Sequence, residues 1–252
     1  MLSIAHGRGI PKGKKGEGRA GRVASGDALS YSFFMAANKR IGILGGSFNP
    51  VHTGHLRVAE EVLEIRDLDR VYLVPCHIPP HKSARDMAPA GARLHMARLA
   101  TQGNRRLGVC DFEITRNTPS YTLETLGYFR KRFGRKARLF FILGADAFAE
   151  ISSWYRYRSL FEAAGFIVMT RPGHDPFDLP GALGPEAARE FKPDRSGRGF
   201  VHTSGNALWP TEVTLLDISA SGIRARRKKG LSIRYLVPDP VYRYIRRRGL
   251  YL

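Results

Sequence analysis

Short runs of apolar residues alternate along the chain with stretches in which apolar positions recur at helical spacing. Residues 41–44 (Ile-Gly-Ile-Leu) form an apolar run that ends at two glycines, which predicts a buried strand and a tight turn. After Pro50, apolar residues at Leu56, Ala59 and Leu63 favour a helix. The same criteria predict further strands at 71–74, 107–114, 139–143, 166–169 and 213–216, and helices at 94–100, 122–133, 148–154, 160–164, 221–229 and 240–247. Ser120 is the predicted cap of the helix at 122–133.

Continuously apolar strands that alternate with helices are typical of a parallel sheet that is buried on both faces. The predicted fold class is therefore α/β: a doubly wound, Rossmann-like parallel sheet with helices on both faces and a small C-terminal helical part at about 219–252. Ligands in such folds bind beyond the carboxyl ends of the strands. Residues 172–199 are rich in Gly and Pro, so we expect an irregular insertion there and assign it no role.

Residues 1–37 are rich in Gly, Lys, Arg and Ser and show no hydrophobic period. This composition predicts a basic, disordered N-terminal extension before one folded domain over residues 38–252. The net charge of +19 is concentrated at the two ends: residues 1–40 contain eight Lys and Arg against two acidic residues, and residues 224–248 contain ten against one. Such surfaces attract polyanions, but a solvated basic tail is the simpler interpretation.

Composition excludes several classes of protein. With 43% hydrophobic and 25% charged residues, the chain is typical of a globular protein. It contains no run of 18 apolar residues, and its N-terminus lacks the apolar core of a secretory signal, so we expect neither a membrane span nor export. Both cysteines, Cys76 and Cys110, fall in apolar runs interpreted as strands, which favours a reducing compartment over a disulfide framework. We therefore expect a cytoplasmic protein.

The strongest chemical signal is the segment 45–55, Gly-Gly-Ser-Phe-Asn-Pro-Val-His-Thr-Gly-His, which follows the first predicted strand. Glycines there let the backbone approach a phosphate. His52 and His55 are three residues apart at the predicted start of a helix, so both can face the positive helix terminus. Imidazole donors at such a point stabilise charge that develops during phosphoryl-group chemistry. The candidate ATP-binding residues of this segment are Gly45, Gly46, Ser47, Phe48, His52 and His55.

A His-x-x-His pair has other interpretations as well. It can be structural, or it can bind a metal if a third ligand lies near. Cys76, His77 and His81 are candidates for that third ligand. We expect no metal to be held by protein side chains here.

A second chemical signal is the segment 218–224, Ile-Ser-Ala-Ser-Gly-Ile-Arg, after the last predicted strand. Ser219 can cap the following helix, whose amides can hold a phosphate. Arg224 lies three residues after Ser221, on the same helix face, and can bind phosphate through two donors. Taken alone, the segment is equally an ordinary helix cap and a surface arginine. The candidate ATP ligands here are Ile218, Ser219, Ser221 and Arg224, and the candidate catalytic residues are His52, His55 and Arg224.

The segment 45–55 resembles the nucleotidyltransferase superfamily, whose members contain the pattern Gly-x-Phe-x-Pro-x-His-x-Gly-His. Residues 46–55 fill every place of that pattern. The superfamily also contains a Ser-x-Thr-x-x-Arg segment, which residues 219–224 match except that Ser221 stands where Thr is usual.

Four further segments look like the bacterial nicotinate mononucleotide adenylyltransferase family, which makes deamido-NAD from ATP and nicotinate mononucleotide. They are residues 79–82 (Pro-Pro-His-Lys), 120–122 (Ser-Tyr-Thr), 144–146 (Gly-Ala-Asp) and 154–155 (Trp-Tyr). The chain's ending, from residue 235 to residue 251, is also similar to that family. The resemblance covers about residues 40–252.

The resemblance implies a role for each of these segments. Trp154 stacks on the pyridine ring, amides near Thr122 and Tyr155 hold the nicotinate carboxylate, Asp146 helps to hold the nucleotide, and Lys82 lies in a mobile loop by the phosphates. The candidate substrate-binding residues are Lys82, Tyr121, Thr122, Asp146, Trp154 and Tyr155. The implied cofactor is Mg²⁺, which ATP brings to the site.

Other functions remain open at this point. Within the superfamily, the chain could be a pantetheine-phosphate adenylyltransferase or a cytidylyltransferase. Aminoacyl-tRNA synthetases share a His-x-Gly-His element, but 252 residues leave little room for tRNA-binding domains. A nucleic-acid-binding protein would use the basic ends, including the arginines at 246–248, but no familiar nucleic-acid-binding motif is evident, so we do not expect nucleic acid to be the partner. The sequence leaves the oligomeric state open.

Overall fold

A mostly parallel sheet forms the centre of the chain. The computed structural model describes residues 39–77, 87–116, 120–170, 178–214 and 216–252, and within them the sheet has eight strands in the order β3-β2-β1-β4-β5-β8-β7-β6. Their bounds are Arg40–Gly46 (β1), Arg70–Pro75 (β2), Leu107–Val109 (β3), Arg138–Gly144 (β4), Gly165–Thr170 (β5), Phe191–Pro193 (β6), Phe200–His202 (β7) and Ala207–Glu212 (β8). Strands β1 to β5 and β8 pair in parallel, whereas β6 and β7 are antiparallel at one edge.

Helices connect the parallel strands. Their bounds are Thr53–Ile65 (α1), Ala90–Ala100 (α2), Thr122–Phe133 (α3), Ala145–Ala149 (α4), Tyr157–Ala163 (α5), Leu179–Leu183 (α6), Pro185–Ala188 (α7), Ala220–Lys228 (α8) and Asp239–Arg247 (α9), with a 3-10 turn at Ile151–Ser153. In the described part of the chain, no helix combines the length and the apolar character that crossing a bilayer would require.

The sheet separates two apolar cores, because successive side chains of a strand point to opposite faces. In β4, Phe141 and Leu143 join the core under α3 and α5, while Phe140 and Ile142 join the core under α1 and α9. This arrangement confirms the predicted doubly wound α/β fold with helices on both faces. The helices predicted after the segments 45–55 and 218–224 form as α1 and α8. The helix predicted at 148–154 differs, because α4 begins three residues earlier, at Ala145.

The last parallel strand was placed wrongly by the apolar pattern. Residues 213–216 were predicted as the strand, but β8 is Ala207–Glu212, and Val213 adds one further bond from its N–H to the carbonyl of Thr170. Pro210 in the middle of β8 hides the strand in the sequence, because proline lacks the N–H that a sheet ladder uses. β7 pairs with β8 only as far as Leu208, so no hydrogen bond with β7 requires an N–H at Pro210.

Two other predictions need correction. The strand predicted at 107–114 ends at Val109, because the chain turns and the N–H of Thr115 bonds back to the carbonyl of Asp111. Cys76 and Cys110 therefore follow strands instead of lying in them, and neither forms a disulfide within the described residues. Within the segment predicted as irregular, the described residues 178–199 contain α6, α7 and β6. The predicted domain boundary near residue 37 lies outside the described residues.

Candidate active site

The first motif lies where the order of the parallel strands reverses. β1 pairs with β2 on one side and with β4 on the other, so the chain switches direction across the sheet between β1 and β4. In open α/β sheets the crevice beyond the carboxyl ends of two such strands is the usual ligand site. Gly46 ends β1 and Gly144 ends β4, which brings the segments 45–55 and 144–146 to one crevice.

Residues 45–51, the glycine-rich loop, are folded back tightly against β1. Phe48 adopts φ of 44°, is 1% exposed and lays its ring over Gly46. A Cβ on Gly46 would stand 3.2 Å from that ring, so a side chain at this position would push the loop away from the strand. The Asn49–Pro50 peptide is cis. The loop leads directly into the start of α1.

The two histidines stack at the N-terminus of α1. His52 is the N-cap residue and His55 lies in the first turn, with their ring centroids 3.6 Å apart and the planes inclined by 30°. The backbone N–H of His52 donates to Nδ1 of His55 at 3.2 Å. A neutral His55 ring that accepts at Nδ1 has its proton on Nε2, where it can donate to a ligand.

Both rings are neutral near pH 7. Burial lowers the pKa of His52 to about 4. Burial, together with the neighbouring His52, lowers the pKa of His55 to about 3. Among the described residues, Nδ1 of His52 is buried without a hydrogen-bond partner. The pair therefore offers ring N–H groups and not full positive charges.

Gly54 lets the two rings lie together. A Cβ at position 54 would stand 3.1 Å from Nδ1 of His52 and 3.8 Å from the carbonyl oxygen of Ile218. The place between the histidine pair and the second motif is thus filled by main chain, and only glycine fits there without moving the His52 ring.

The second motif lies beside the first, as its predicted chemistry requires. Ser219 is the N-cap of α8, and its Oγ accepts from the N–H of Gly222 at 3.1 Å, so the predicted cap is confirmed. Oγ of Ser221 is 3.2 Å from Oγ of Ser219. Nη1 of Arg224 donates to the carbonyl of Asn49 at 2.9 Å, which brings this arginine to the glycine-rich loop.

A cavity of about 320 Å³ opens beside Arg224. Lys228, one helical turn further along α8, lies on its wall, together with residues 87–89 and the C-terminal residues 249–252. This cavity therefore has two cations of one face of α8 on its wall.

The segments 120–122 and 154–155 meet through their aromatic residues. The rings of Tyr121 and Tyr155 are 4.7 Å apart, and both are exposed, at 37% and 55%. Trp154 is half-buried and packs edge-on against Phe141 of β4, with centroids 6.0 Å apart. This surface offers aromatic faces that solvent can reach.

The N-terminus of α3 adds backbone donors to this surface. Tyr121 is its N-cap and makes no capping bond with its side chain, and the first intrahelical bond runs from the N–H of Glu124 to the carbonyl of Tyr121. The amides of Thr122 and Leu123 precede that bond, as the first amides of any helix do. Ser120 was predicted to cap this helix, and that prediction is wrong: its Oγ accepts from the N–H of His77 at 3.2 Å.

Asp146 is exposed in the first turn of α4. Its carboxylate folds back over Gly144, where a Cβ would stand 2.4 Å from Oδ1. Because Gly144 has no side chain, the end of β4 leaves room at the crevice for the carboxylate of Asp146. Lys82, predicted beside the phosphates, lies outside the described residues.

The geometry of the described residues does not support the interpretation that the histidine pair binds a metal. Across residues 39–77, 87–116, 120–170, 178–214 and 216–252, no three His, Cys, Asp or Glu side chains cluster closely enough to hold a metal ion. His81, one of the proposed third ligands, is outside those ranges.

Sequence reasoning missed three residues that support the site: Asn49, Arg93 and Tyr251. Asn49 is 3% exposed, and its Oδ1 accepts from the N–H of Ala88 at 3.0 Å and from the hydroxyl of Tyr251 at 2.8 Å. Arg93 is 1% exposed and binds main-chain carbonyls around the loop. Arg93 lies just before the helix predicted at 94–100, so the sequence pattern singles out neither Arg93 nor Tyr251.

Comparison with known proteins agrees with this geometry. Residues 43–226 match the family described as cytidylyltransferase-like, so the chain belongs to that class of nucleotidyltransferases. A Citrifermentans bemidjiense protein described as a probable nicotinate-nucleotide adenylyltransferase is 43% identical over 213 residues, which cover 84% of this chain and 98% of that protein. A relative from Desulfatibacillum aliphaticivorans with the same description is 42% identical over 225 residues, 84% of this chain and all of that protein.

Within that class, the chain belongs to the nicotinate-nucleotide adenylyltransferase family. The fold is shared with a solved structure, Plasmodium falciparum nicotinic acid mononucleotide adenylyltransferase complexed with NaAD, at a TM-score of 0.62 and 19% identity. That similarity covers 85% of this chain and 98% of the Plasmodium chain.

Proposed function

We propose that this protein transfers the adenylyl group of ATP to nicotinate mononucleotide, giving deamido-NAD and pyrophosphate. One observation supports the reaction type above all: a stacked histidine pair, held neutral by burial, lies at a helix N-terminus next to the loop whose Asn49 carbonyl accepts from Arg224. Such a group of donors suits a triphosphate. The names of the close relatives support the choice of nucleotides.

The ATP phosphates bind at the glycine-rich loop and the starts of α1 and α8. The proposed ATP ligands are Gly45, Gly46, Ser47, Phe48, His52, His55, Ile218, Ser219, Ser221 and Arg224. His52, His55 and Arg224 are the proposed catalytic residues, because they contact the phosphates at which charge develops.

The transfer needs no base. A phosphate oxygen of nicotinate mononucleotide, already anionic at neutral pH, attacks the α-phosphorus of ATP, and the bond from that phosphorus to the bridging oxygen of pyrophosphate breaks. Charge grows on the oxygens around phosphorus and on the departing pyrophosphate. The Nε2–H of His55 and the guanidinium of Arg224 donate to those oxygens, so the protein contributes alignment and charge stabilisation.

The site suits a magnesium ion that binds together with the phosphates of ATP. Mg²⁺ keeps several waters and needs only one or two carboxylates besides the phosphates. Asp146, exposed at the end of β4, is such a carboxylate and would hold the ion or its water shell. When bound, the ion neutralises phosphate charge.

Nicotinate mononucleotide binds at the aromatic side of the crevice. Trp154 offers a face to the flat pyridine ring. The amides of Thr122 and Tyr155 bind the nicotinate carboxylate, since a helix N-terminus favours an anion over a neutral amide. Tyr121 and Asp146 complete the proposed substrate ligands, and Lys82 is proposed to contact the phosphates.

Three broader features belong to the proposal as well. The enzyme works in the cytoplasm, its catalytic domain spans residues 38–252, and residues 1–37 form a basic extension outside the chemistry. The lack of a disulfide between Cys76 and Cys110 agrees with a reducing compartment.

A comparison of acceptors and donors tests the function. The purified protein is given ATP with nicotinate mononucleotide, nicotinamide mononucleotide or phosphopantetheine, and separately CTP with each acceptor, and pyrophosphate release is followed. We expect the highest kcat/KM for ATP with nicotinate mononucleotide. A preference for another acceptor or for CTP would overturn the assignment of substrates while leaving nucleotidyl transfer in place.

A further inference from the structure

A buried polar network lies directly behind the glycine-rich loop. We propose that Arg93 and Tyr251 are positioning residues for this loop: they set the affinity for ATP through Ser47 and Asn49 without touching the nucleotide. The proposal rests on the proposed function for the identity of the nucleotide.

Arg93 supplies most of the network. Its Nη1 donates to the carbonyls of Ser47 at 2.8 Å and Cys76 at 2.7 Å, its Nη2 donates to His77 at 2.7 Å, and its Nε donates to Ala88 at 3.1 Å. These carbonyls belong to three segments: the loop after β1, the end of β2 and the start of α2. One side chain therefore fixes the relative position of all three.

The chemistry of arginine is required at this position. Its planar fork sends donors in several fixed directions, whereas a lysine offers three donors from one point. Arg93 is among the largest fully buried side chains, and burying a cation is costly. An apolar residue would fill the same space without that cost, so the charge has a purpose beyond packing.

Tyr251 reaches the same loop from the end of the chain. Its hydroxyl donates to Oδ1 of Asn49 at 2.8 Å, across more than 200 residues of sequence. Oδ1 also accepts from the N–H of Ala88, so the two donors hold the Asn49 side chain between α2 and the C-terminus. The carbonyl of Asn49 binds Arg224, which connects the network to a proposed catalytic residue.

The network holds the loop at two points. Ser47 is fixed through its carbonyl by Arg93, and Asn49 is fixed through its side chain by Tyr251. Between them, Phe48 has the left-handed backbone that closes the loop over Gly46. Loss of either contact should loosen the loop that binds ATP and leave the pyridine side unchanged.

Tyr251→Phe tests the contact with Asn49, because it removes one hydroxyl and keeps the packed ring. Binding of a non-hydrolysable ATP analogue is measured by calorimetry, and binding of nicotinate mononucleotide is measured separately. We expect about fivefold weaker binding of the analogue, the typical worth of one hydrogen bond, with unchanged binding of nicotinate mononucleotide and little change in Tm. Tyr242→Phe, which alters a partly buried tyrosine of α9 whose hydroxyl accepts from Arg246, is the matched control and should bind both ligands normally.

Arg93→Lys tests the other contact, with Arg98→Lys as the control in the same helix, where the guanidinium is exposed and bonds Asp111. We expect at least tenfold weaker binding of the ATP analogue for Arg93→Lys and normal binding for the control. Binding of the analogue within twofold of wild type in Tyr251→Phe would overturn the proposal, and so would a parallel loss of affinity for both nucleotides together with a fall in Tm.

The binding readout separates this proposal from the proposed function. A wild-type protein that binds the ATP analogue but makes no deamido-NAD would refute the reaction and leave the network testable. A wild-type protein that makes deamido-NAD, paired with a Tyr251→Phe variant that binds the analogue normally, would refute the network alone.

Discussion

The two ends of the proposed active site differ in how firmly the fold holds them. At the phosphate end, His52 and Asn49 are 7% and 3% exposed, and each makes hydrogen bonds that involve main-chain groups. At the pyridine end, Tyr155 is 55% exposed and only its ring contact with Tyr121 holds its side chain in the described structure. The phosphate end is therefore preorganised before a ligand binds, whereas the pyridine end is an exposed aromatic surface.

This difference follows from what each end has to do. Groups that stabilise a transition state act best when they need no rearrangement during the reaction. Groups that bind a substrate ring contribute to affinity and can adjust as the ligand arrives. The comparison predicts that changes at the phosphate end reduce turnover, whereas changes at the pyridine end reduce affinity for one substrate.

The largest effect is expected for His55→Ala. It removes the Nε2 donor and should lower kcat by at least about 100-fold with the fold intact, because loss of one preorganised donor typically costs that much. Steady-state assays and Tm measure the two quantities. His95→Ala, at an exposed histidine of α2, serves as the control, and a near-normal rate for His55→Ala would remove His55 from the mechanism.

Gly54→Ala should show that the position of the His52 ring matters. The added Cβ lies 3.1 Å from Nδ1 of His52, and the ring cannot move freely because it stacks on His55. We expect turnover to fall about tenfold, since small displacements of catalytic groups are costly. In Gly127→Ala on α3 the new methyl group meets no atom within 4 Å, so that control should keep full activity and gain about 1 kcal/mol of stability.

Trp154→Ala tests the pyridine end. We expect about tenfold weaker binding of nicotinate mononucleotide and unchanged binding of an ATP analogue, because an aromatic stacking partner is lost. The chain has two tryptophans, so Trp209→Phe leaves Trp154 as the single indole whose fluorescence reports the ligand. Equal losses of affinity for the two nucleotides in Trp154→Ala would contradict the separation of the two ends.

The smallest effect concerns stability and pH. The folded-state pKa values of His52 and His55, about 4 and 3, lie below the ordinary value of about 6.5, so the unfolded chain binds more protons between pH 6.5 and pH 3. Stability from these residues should therefore be lost as the pH falls below 6.5. Comparing Tm at pH 7.5 and pH 5 in wild type and in His55→Gln isolates the contribution, which should be smaller in the variant. Identical shifts would mean that His55 is not buried in its neutral form.

Much of the phosphate end could be predicted from the sequence, because its residues are contiguous. The segment 45–55 places glycines, a turn and two histidines in one stretch, and Ser219 caps α8 as its position indicated. The parallel sheet with helices on both faces was also predicted, from the alternation of apolar strands with helices.

The supporting contacts could not be predicted, because they join distant parts of the chain. The bond between Tyr251 and Asn49 and the four carbonyls around Arg93 depend on tertiary structure. β8 was misplaced because Pro210 interrupts its pattern, and Ser120 was assigned to a helix cap although it bonds His77. Local sequence patterns indicate which residues can bind or catalyse. The tertiary structure determines which other residues hold those residues in place.

Direct transfer between the two ends is the central claim, and a label on the α-phosphate of ATP tests it. After reaction with nicotinate mononucleotide, products and acid-precipitated protein are separated and counted. We predict that all transferred label appears in deamido-NAD, with none in pyrophosphate and none bound to protein. Label retained on the protein, or recovered in pyrophosphate, would contradict the account.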